Sequence, residues 1–349
     1  MLFLKNREAD ITNPIFQKRS RKDNNVEVLI NGQYIPTRGF WPIIDENYSE
    51  TPFLAIGHKD GVPKREYNKF KKNYGKRFKY IYVCQSAPFL LKNYKYISRK
   101  FDGIFDLDWA TKKNQSKSLF CNHSMMVRSM PYRGFFWESK KMAKPFDFSM
   151  LTWGPSDTRI KRWDRGSKIC DYLLKKGMKG IIVTQKGKRG DFLNNSIKPY
   201  IESGNLVIED AVFSEIEFHH LMCKAKYAIF PNTVDAFPKH IIESLLADKP
   251  IIISKDLLLG KDVLSKLGDS VCSIIDFEKK LFIETIYQII SKEYKGPSPR
   301  RTWLERYNFL SLSEQWAKEF NRLFGTNYKR LFYMNHIPRI EENNFNSKN

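Results

Sequence analysis

Tyr227-Ala-Ile-Phe-Pro-Asn-Thr-Val-Asp-Ala-Phe-Pro-Lys-His-Ile-Ile-Glu243-Ser-Leu-Leu-Ala-Asp-Lys-Pro-Ile-Ile-Ile-Ser254 is the stretch whose reading decides the fold. The apolar run 227–230 reads as a buried strand, the turn after it carries Asp235, a helical stretch contains Glu243, and 250–254 reads as a second buried strand. Short apolar strands alternating with helices are the sequence form of a parallel α/β sheet, and ligands of such sheets sit beyond the carboxyl ends of the strands. Asp235 stands before the helix and Glu243 on it, so both carboxylates can face one polyol bound at that edge. The helix begins there too, and its free N–H groups point toward any phosphate the polyol carries.

Outward from this stretch the same alternation continues. Strands are expected at 147–153, 180–184, 206–208, 228–230, 251–253 and 271–275, with helices at 168–176, 191–202, 214–225, 239–247 and 261–267. Ser214 and Glu217 have the spacing of a capping box at the third of these helices. Beyond Asp276 the pattern turns helical, at 278–293 and again at 313–324. The first half is less regular, with strands expected at 26–30, 53–57, 80–84 and 103–107 and a helical stretch at 64–73. Glycine, proline and mixed charge without periodicity mark 131–145 as a linker. No internal repeat is evident.

Composition bounds the answer. A chain of 349 residues exceeds one typical core, so two domains are the default, and 42% apolar with 14% aromatic residues is ample to fill them. No apolar run approaches the length needed to cross a bilayer, and the first residues are too charged for a signal peptide. Cys84, Cys121, Cys170, Cys223 and Cys272 are odd in number and scattered, which reads as reduced thiols and a cytoplasmic setting. Sixty basic against 38 acidic residues give a net charge of +22. Part of that excess is concentrated at 64–79, where bases interleave with aromatics. Such a segment reads as a solvated helix face, as a surface for anionic lipid or glycan, or, less well supported, as a nucleic-acid contact. No zinc spacing or RNA-binding signature accompanies it.

The 227–254 stretch resembles the donor-site signature of the retaining group-1 (family 4) glycosyltransferases of GT-B architecture. That signature is an acid, seven residues, a glutamate and then a Pro-Val-Ile-Ala-Ser-like strand; here it reads Asp235-x7-Glu243 and Pro250-Ile-Ile-Ile-Ser254. The first acid is Asp, one methylene shorter than the family's Glu. The resemblance is good over about residues 147–275 and includes the segment 213–228. It implies two Rossmann-like α/β domains facing an interdomain cleft, with C-terminal helices crossing back. The expected division is 1–140 on the acceptor side, with 1–25 irregular, 141–310 binding the nucleotide sugar, a helix within 311–336 returning to the first domain, and a disordered tail at 337–349.

The resemblance also implies roles. Glu243 would take ribose hydroxyls, Asp235 the donor sugar, and the backbone of Ala236, Phe237, Pro238 and Lys239 would approach sugar and phosphate. Family members hold the diphosphate with an Arg and a Lys in a Gly-Arg-x4-Lys-Gly pattern. Here the loop runs from Gly154 to Arg165-Gly166, with Arg165 in the Lys position and Arg159, Lys161 and Arg162 competing for the Arg role. His58, in a loop that resembles the family's His-x-Pro turn, would be a catalytic residue beside the donor sugar, as would Asp235 and Arg165, and Gln85 is a candidate for acceptor contacts. No metal or other cofactor is expected, since fixed cations and a helix terminus carry the leaving charge. Asp106-Leu-Asp108 has the spelling of a metal-binding Asp-x-Asp, but its context in the first half argues against that use.

The activity implied is transfer of a sugar, with retention, from a nucleoside-diphosphate sugar to a cell-surface glycan or lipid-linked precursor. The setting implied is cytoplasmic, at the inner face of the membrane. Two rivals stand beside it: a nucleic-acid-binding or DNA-base-glycosylating protein, and a GT-B-shaped protein without activity.

Overall fold

The computed structural model describes residues 27–30, 33–36, 39–44, 47–48, 53–57, 64–76, 78–83, 87–106, 118–120, 143–192, 197–210, 220–233, 239–257 and 261–334. By its internal contacts the chain divides into two units: unit 1 is residues 1–132 with 309–349, and unit 2 is 133–308.

Unit 1 opens with the hairpin β1 (Glu27–Ile30) and β2 (Gln33–Pro36). Its main sheet contains β3 (Gly39–Ile44), β4 (Asn47–Tyr48), β5 (Phe53–Gly57), β6 (Lys79–Val83), β7 (Gly103–Asp106) and β8 (Ser118–Phe120). β5 to β8 are parallel and neighbours in chain order, whereas β3 runs antiparallel to β5. The helix Lys64–Tyr74 joins β5 to β6, and Ala87–Lys100 joins β6 to β7. Tyr80, Ile81 and Tyr82 on the central strand are fully buried, and Tyr67 of the first helix and Phe101 after the second pack edge-on against that layer.

Unit 2 is one sheet of six parallel strands: β9 (Phe146–Leu151), β10 (Gly180–Val183), β11 (Leu206–Glu209), β12 (Ala225–Phe230), β13 (Ile251–Ser254) and β14 (Cys272–Ile275). Side by side they run β11-β10-β9-β12-β13-β14, so numbered within the unit the order is 3-2-1-4-5-6, the doubly wound arrangement. β10 and β13 are buried at every position, as a sheet covered by helices on both faces requires. Gly180 has a packing reason. It pairs with Phe148, and a Cβ on it would lie 2.3 Å from that ring. The core gathers Phe148, Met150, Ile169, Leu173, Ile182 and Ile229 around the sheet. Cys170, Cys223 and Cys272 are free, buried thiols. After the helix Pro299–Tyr307 the chain re-enters unit 1 through the helix Phe309–Phe324 and β15 (Leu331–Met334), which closes the edge beside β3. Phe320 and Phe324 of that helix pack on Phe53.

The structure corrects two helix readings. The helix expected from residue 168 begins at Trp163, which places Arg165 and Gly166 inside its first turn. The cause is Trp163 itself, whose buried indole packs edge-on against Phe192 at 5.1 Å and draws the turn inward. The stretch expected as a single helix over 191–202 contains a 3-10 turn, Arg189–Phe192, and a separate short helix, Lys198–Glu202, that has Pro199 in its first turn. The capping-box residues Ser214 and Glu217 lie outside the described residues.

Candidate functional site

In a 3-2-1-4-5-6 sheet the connections leave in opposite directions from the first and fourth strands, and a crevice opens beyond their carboxyl ends. Here those strands are β9 and β12, direct neighbours. Several polar residues at this edge are buried: Thr152 after β9, Thr184 after β10, Asn232 after β12 and Ser254 ending β13, together with Lys161, Arg165 and Glu243 from the connections. Burial of so many polar groups costs free energy unless each finds a partner, so their concentration at one edge marks a site.

The connection after β9 is a folded structure. Thr152 Oγ accepts from Gly154 N at 3.3 Å and donates to Gly154 O at 3.1 Å. Gly154 sits at φ +136, a conformation that residues with a side chain rarely adopt. The Asp157 carboxylate then accepts from the backbone N–H of Ile160 at 3.1 Å and of Lys161 at 3.2 Å, and Asp157 O accepts from Trp163 N. Lys161 is buried, its Nζ 5.3 Å from the ring centre of Trp153. Arg162, in the left-handed region at φ 53, forks onto the Asp164 carboxylate at 2.9 and 2.8 Å. That hydrogen-bonded pair pushes the Arg162 guanidinium up and the Asp164 carboxyl down from their ordinary ranges. Arg159 is exposed and makes no ion pair among the described residues.

Arg165 lies in the first turn of the helix Trp163–Lys175, with its side chain 8% exposed. Its Nη2 donates to the Glu278 carboxylate, and its Nη1 stands 3.7 Å from Asp256 without a hydrogen-bond partner. Burial is the main force lowering its proton affinity, Arg162 adds to it, and Asp256 and Asp164 oppose it. Behind it Gly166 lets the helix approach the connection after β12: a Cβ there would meet Trp163 at 3.1 Å and Pro231 at 3.6 Å.

Glu243 is on the helix Lys239–Leu246, which leads from β12 to β13 and is buried from His240 to Leu246. The carboxylate residue is only 7% exposed, so it is not an ordinary solvated acid on a helix surface. Glu243 and Arg165 thus stand on the two helices that leave from either side of the switch point. Asp235, Ala236, Phe237, Pro238, His58 and Gln85 lie outside the described residues, as does the side chain of Lys239. The sequence reading missed Asp256 and Glu278. Both follow strands of the same sheet at their carboxyl ends, two residues after Ser254 and three after Ile275, which is the signal that would have found them. Among the described residues no group of three or more His, Cys, Asp or Glu is gathered as a bound metal would need.

No family model matches the sequence, and no curated protein matches it. Solved structures do. S. aureus TarM in complex with Fondaparinux, alpha-GlcNAc-glycerol and UDP superposes with a TM-score of 0.54 at 14% identity over 73% of this chain. The chain spans about half of TarM, 54% of its length. Anabaena HepE in complex with UDP and glucose matches with a TM-score of 0.54 at 11% identity, covering 78% of each chain. Sucrose-phosphate synthase from Thermosynechococcus elongatus matches with a TM-score of 0.52 at 11% identity, over 79% of this chain and 75% of that one. At such identities the likeness shows the fold, and the fold is that of the GT-B glycosyltransferases.

Proposed function

We propose that this chain is a retaining, hexosyltransferase-type glycosyltransferase that moves a sugar from a nucleoside-diphosphate sugar to a cell-surface glycan or lipid-linked precursor. The observation that carries the reading is that a buried acid, Glu243, and a buried cation, Arg165, stand on the two helices flanking the switch point of unit 2. A nucleotide sugar presents the complementary groups: a ribose diol for a carboxylate and a diphosphate for a guanidinium. The UDP complexes of TarM and HepE support a nucleotide-sugar donor.

In this proposal unit 2 holds the donor. Glu243 accepts from the ribose hydroxyls and Asp235 from the sugar, while the backbone of residues 236–239 lies along sugar and phosphate. Arg165 meets the diphosphate through Nη1, which has no hydrogen-bond partner, with Arg159 or Lys161 beside it. Arg162 is the weakest of the three for that second role, because Asp164 already occupies its fork. Gly154 keeps the backbone close to the phosphates. From unit 1, His58 is proposed to act on the donor sugar and Gln85 to contact the acceptor.

The step breaks the bond from the anomeric carbon to the diphosphate oxygen and forms one to the acceptor oxygen on the same face. The acceptor's proton passes to the departing oxygen, so the protein supplies position and charge rather than a base. Arginine cations and a helix N-terminus meet the leaving charge, and the reaction is expected to need no metal. The protein acts in the cytoplasm at the inner membrane face. Incubation of the purified protein with UDP- and GDP-sugars, following release of the nucleoside diphosphate, tests the reading. One donor should turn over and Glu243→Ala should abolish that turnover; an unchanged rate in the variant would overturn the assignment.

A further inference from the structure

We infer that the helices Lys64–Tyr74 and Ala87–Lys100 of unit 1 form a flat electrostatic face that docks onto a bilayer containing anionic lipid. The inference names the surface behind the membrane location proposed above, yet it stands apart from the sugar-transfer chemistry. Together the two helices carry nine basic residues against one acidic residue, Glu66. β5, β6 and β7 are adjacent and parallel, and right-handed crossovers place both connecting helices on one face of that sheet. Contact across them fixes the arrangement, since Lys64 Nζ stands 5.0 Å from the ring centre of Tyr96.

The inward side of this pair is apolar and the outward side cationic. Tyr67, Phe70 and Ile97 are buried, and Tyr80 from the strand beneath donates its hydroxyl to Phe70 O at 3.2 Å and Gly75 O at 3.0 Å, fastening the end of the first helix. Lys69, Lys72, Lys76, Lys95, Arg99 and Lys100 are exposed, and none of them makes an ion pair among the described residues. Some surface lysines of unit 2 differ: Lys175, Lys226 and Lys255 each hold a carboxylate at 2.7 Å. A cluster of cations left without internal partners fits an extended anionic surface, to which each cation near it adds a factor of about five in affinity.

The same observations favour lipid over nucleic acid. Of the aromatics that interleave with lysine at 64–79, Tyr67, Phe70 and Phe78 are buried and Tyr74 is half-buried, packed between Phe70 and Phe78, so the segment offers no fully exposed ring for bases to stack on. Both helices lie lengthwise on their sheet and offer their sides, not a projecting end that would enter a groove. No large apolar side chain is exposed among their described residues, so adsorption is electrostatic, without insertion.

Co-sedimentation of the full chain with vesicles of phosphatidylcholine, with and without 30 mol% phosphatidylglycerol (roughly the charge density of an anionic leaflet), tests the inference. Binding is expected only with the anionic lipid and should disappear at about 0.5 M salt. The variant Lys69→Gln, Lys72→Gln, Lys95→Gln, Arg99→Gln should lose about a hundredfold in partition or more. Neutralising Lys175, Lys198 and Lys226 of unit 2 should change it little. All the substituted groups are exposed, and equal melting temperatures would show that both variants are folded. Equal binding to neutral vesicles, an unaffected quadruple variant, or tighter binding to a 20-base-pair duplex at about 0.15 M salt would overturn it.

Discussion

Both units of this chain build a parallel sheet from strand–helix repeats, yet they hold their cations in opposite ways. Unit 2 turns charge inward. Arg165, Lys161, Arg300 and Lys249 are buried, and many of its exposed lysines and arginines are tied to a neighbouring carboxylate. Unit 1 turns charge outward on its two crossover helices and leaves it without ion pairs among the described residues, over a sheet packed by Tyr67, Tyr80 and Phe101. The difference teaches how to read a large net positive charge. Buried, positioned cations at a strand edge suit a small dianionic ligand, whereas a field of solvated ones suits an extended anionic surface.

The largest expected effect breaks the comparison at Glu243. If Glu243 accepts from two ribose hydroxyls as proposed, its removal should cost about 3–5 kcal/mol of transition-state binding, a fall of about a thousandfold in kcat/KM. Vesicle binding by the same variant should be unchanged. Arg165→Ala should lower kcat about a hundredfold, as loss of a preorganised donor to developing charge does elsewhere. Arg165→Lys should recover part of that, because charge survives without the two-pronged geometry.

Lys249 sharpens the comparison from the other side, being a buried lysine that makes no ion pair among the described residues. Its Nζ donates to Ser149 Oγ at 3.2 Å, and burial pushes its pKa down from 10.5 to about 7, with Lys144 adding to the effect and Cys223 opposing it. Between pH 7 and 10.5 the unfolded chain holds this proton more tightly than the folded one, so the Lys249 contribution to stability rises with pH across that window. Below pH 7 both states are protonated and the cost is constant. Lys249→Met should therefore stabilise by about 1–3 kcal/mol near pH 7, an advantage that shrinks toward pH 10. Urea unfolding of both proteins at pH 7, 8 and 9 checks it, and a difference independent of pH would mean that Lys249 keeps an ordinary pKa. The smallest effect belongs to the exposed pair Lys175–Asp171, where Lys175→Ala should change stability by less than about 0.5 kcal/mol in the same assay.

Unit 2 was legible in the sequence because its signals are local. Ile251-Ile-Ile253 and Gly180-Ile-Ile-Val183 are apolar runs, and each is followed by a helical stretch, so the strands fell where expected to within a few residues. The edge of unit 1 was not legible. β3 contains Pro42, and its partner Leu331 lies almost 300 residues further along the chain, a pairing that no local pattern encodes. The helix Ala87–Lys100 was missed although it is longer than several that were read, because aromatic and basic residues blur its apolar stripe. At the site, Glu243 could be read from its spacing, but the partners of Arg165 could not. Glu278 is 113 residues away and reaches Arg165 only because β14 ends beside β13 in the sheet.

Thermal unfolding with and without a panel of nucleoside diphosphates and their sugars tests the central claim most directly. Bound ligand at a hundred times its Kd should stabilise the wild-type chain by about 2.7 kcal/mol. The account predicts a rise in melting temperature with UDP or GDP and their sugars that is absent in Glu243→Ala and reduced in Arg165→Ala. A panel that leaves the wild type unmoved, or that shifts Glu243→Ala equally, would contradict it.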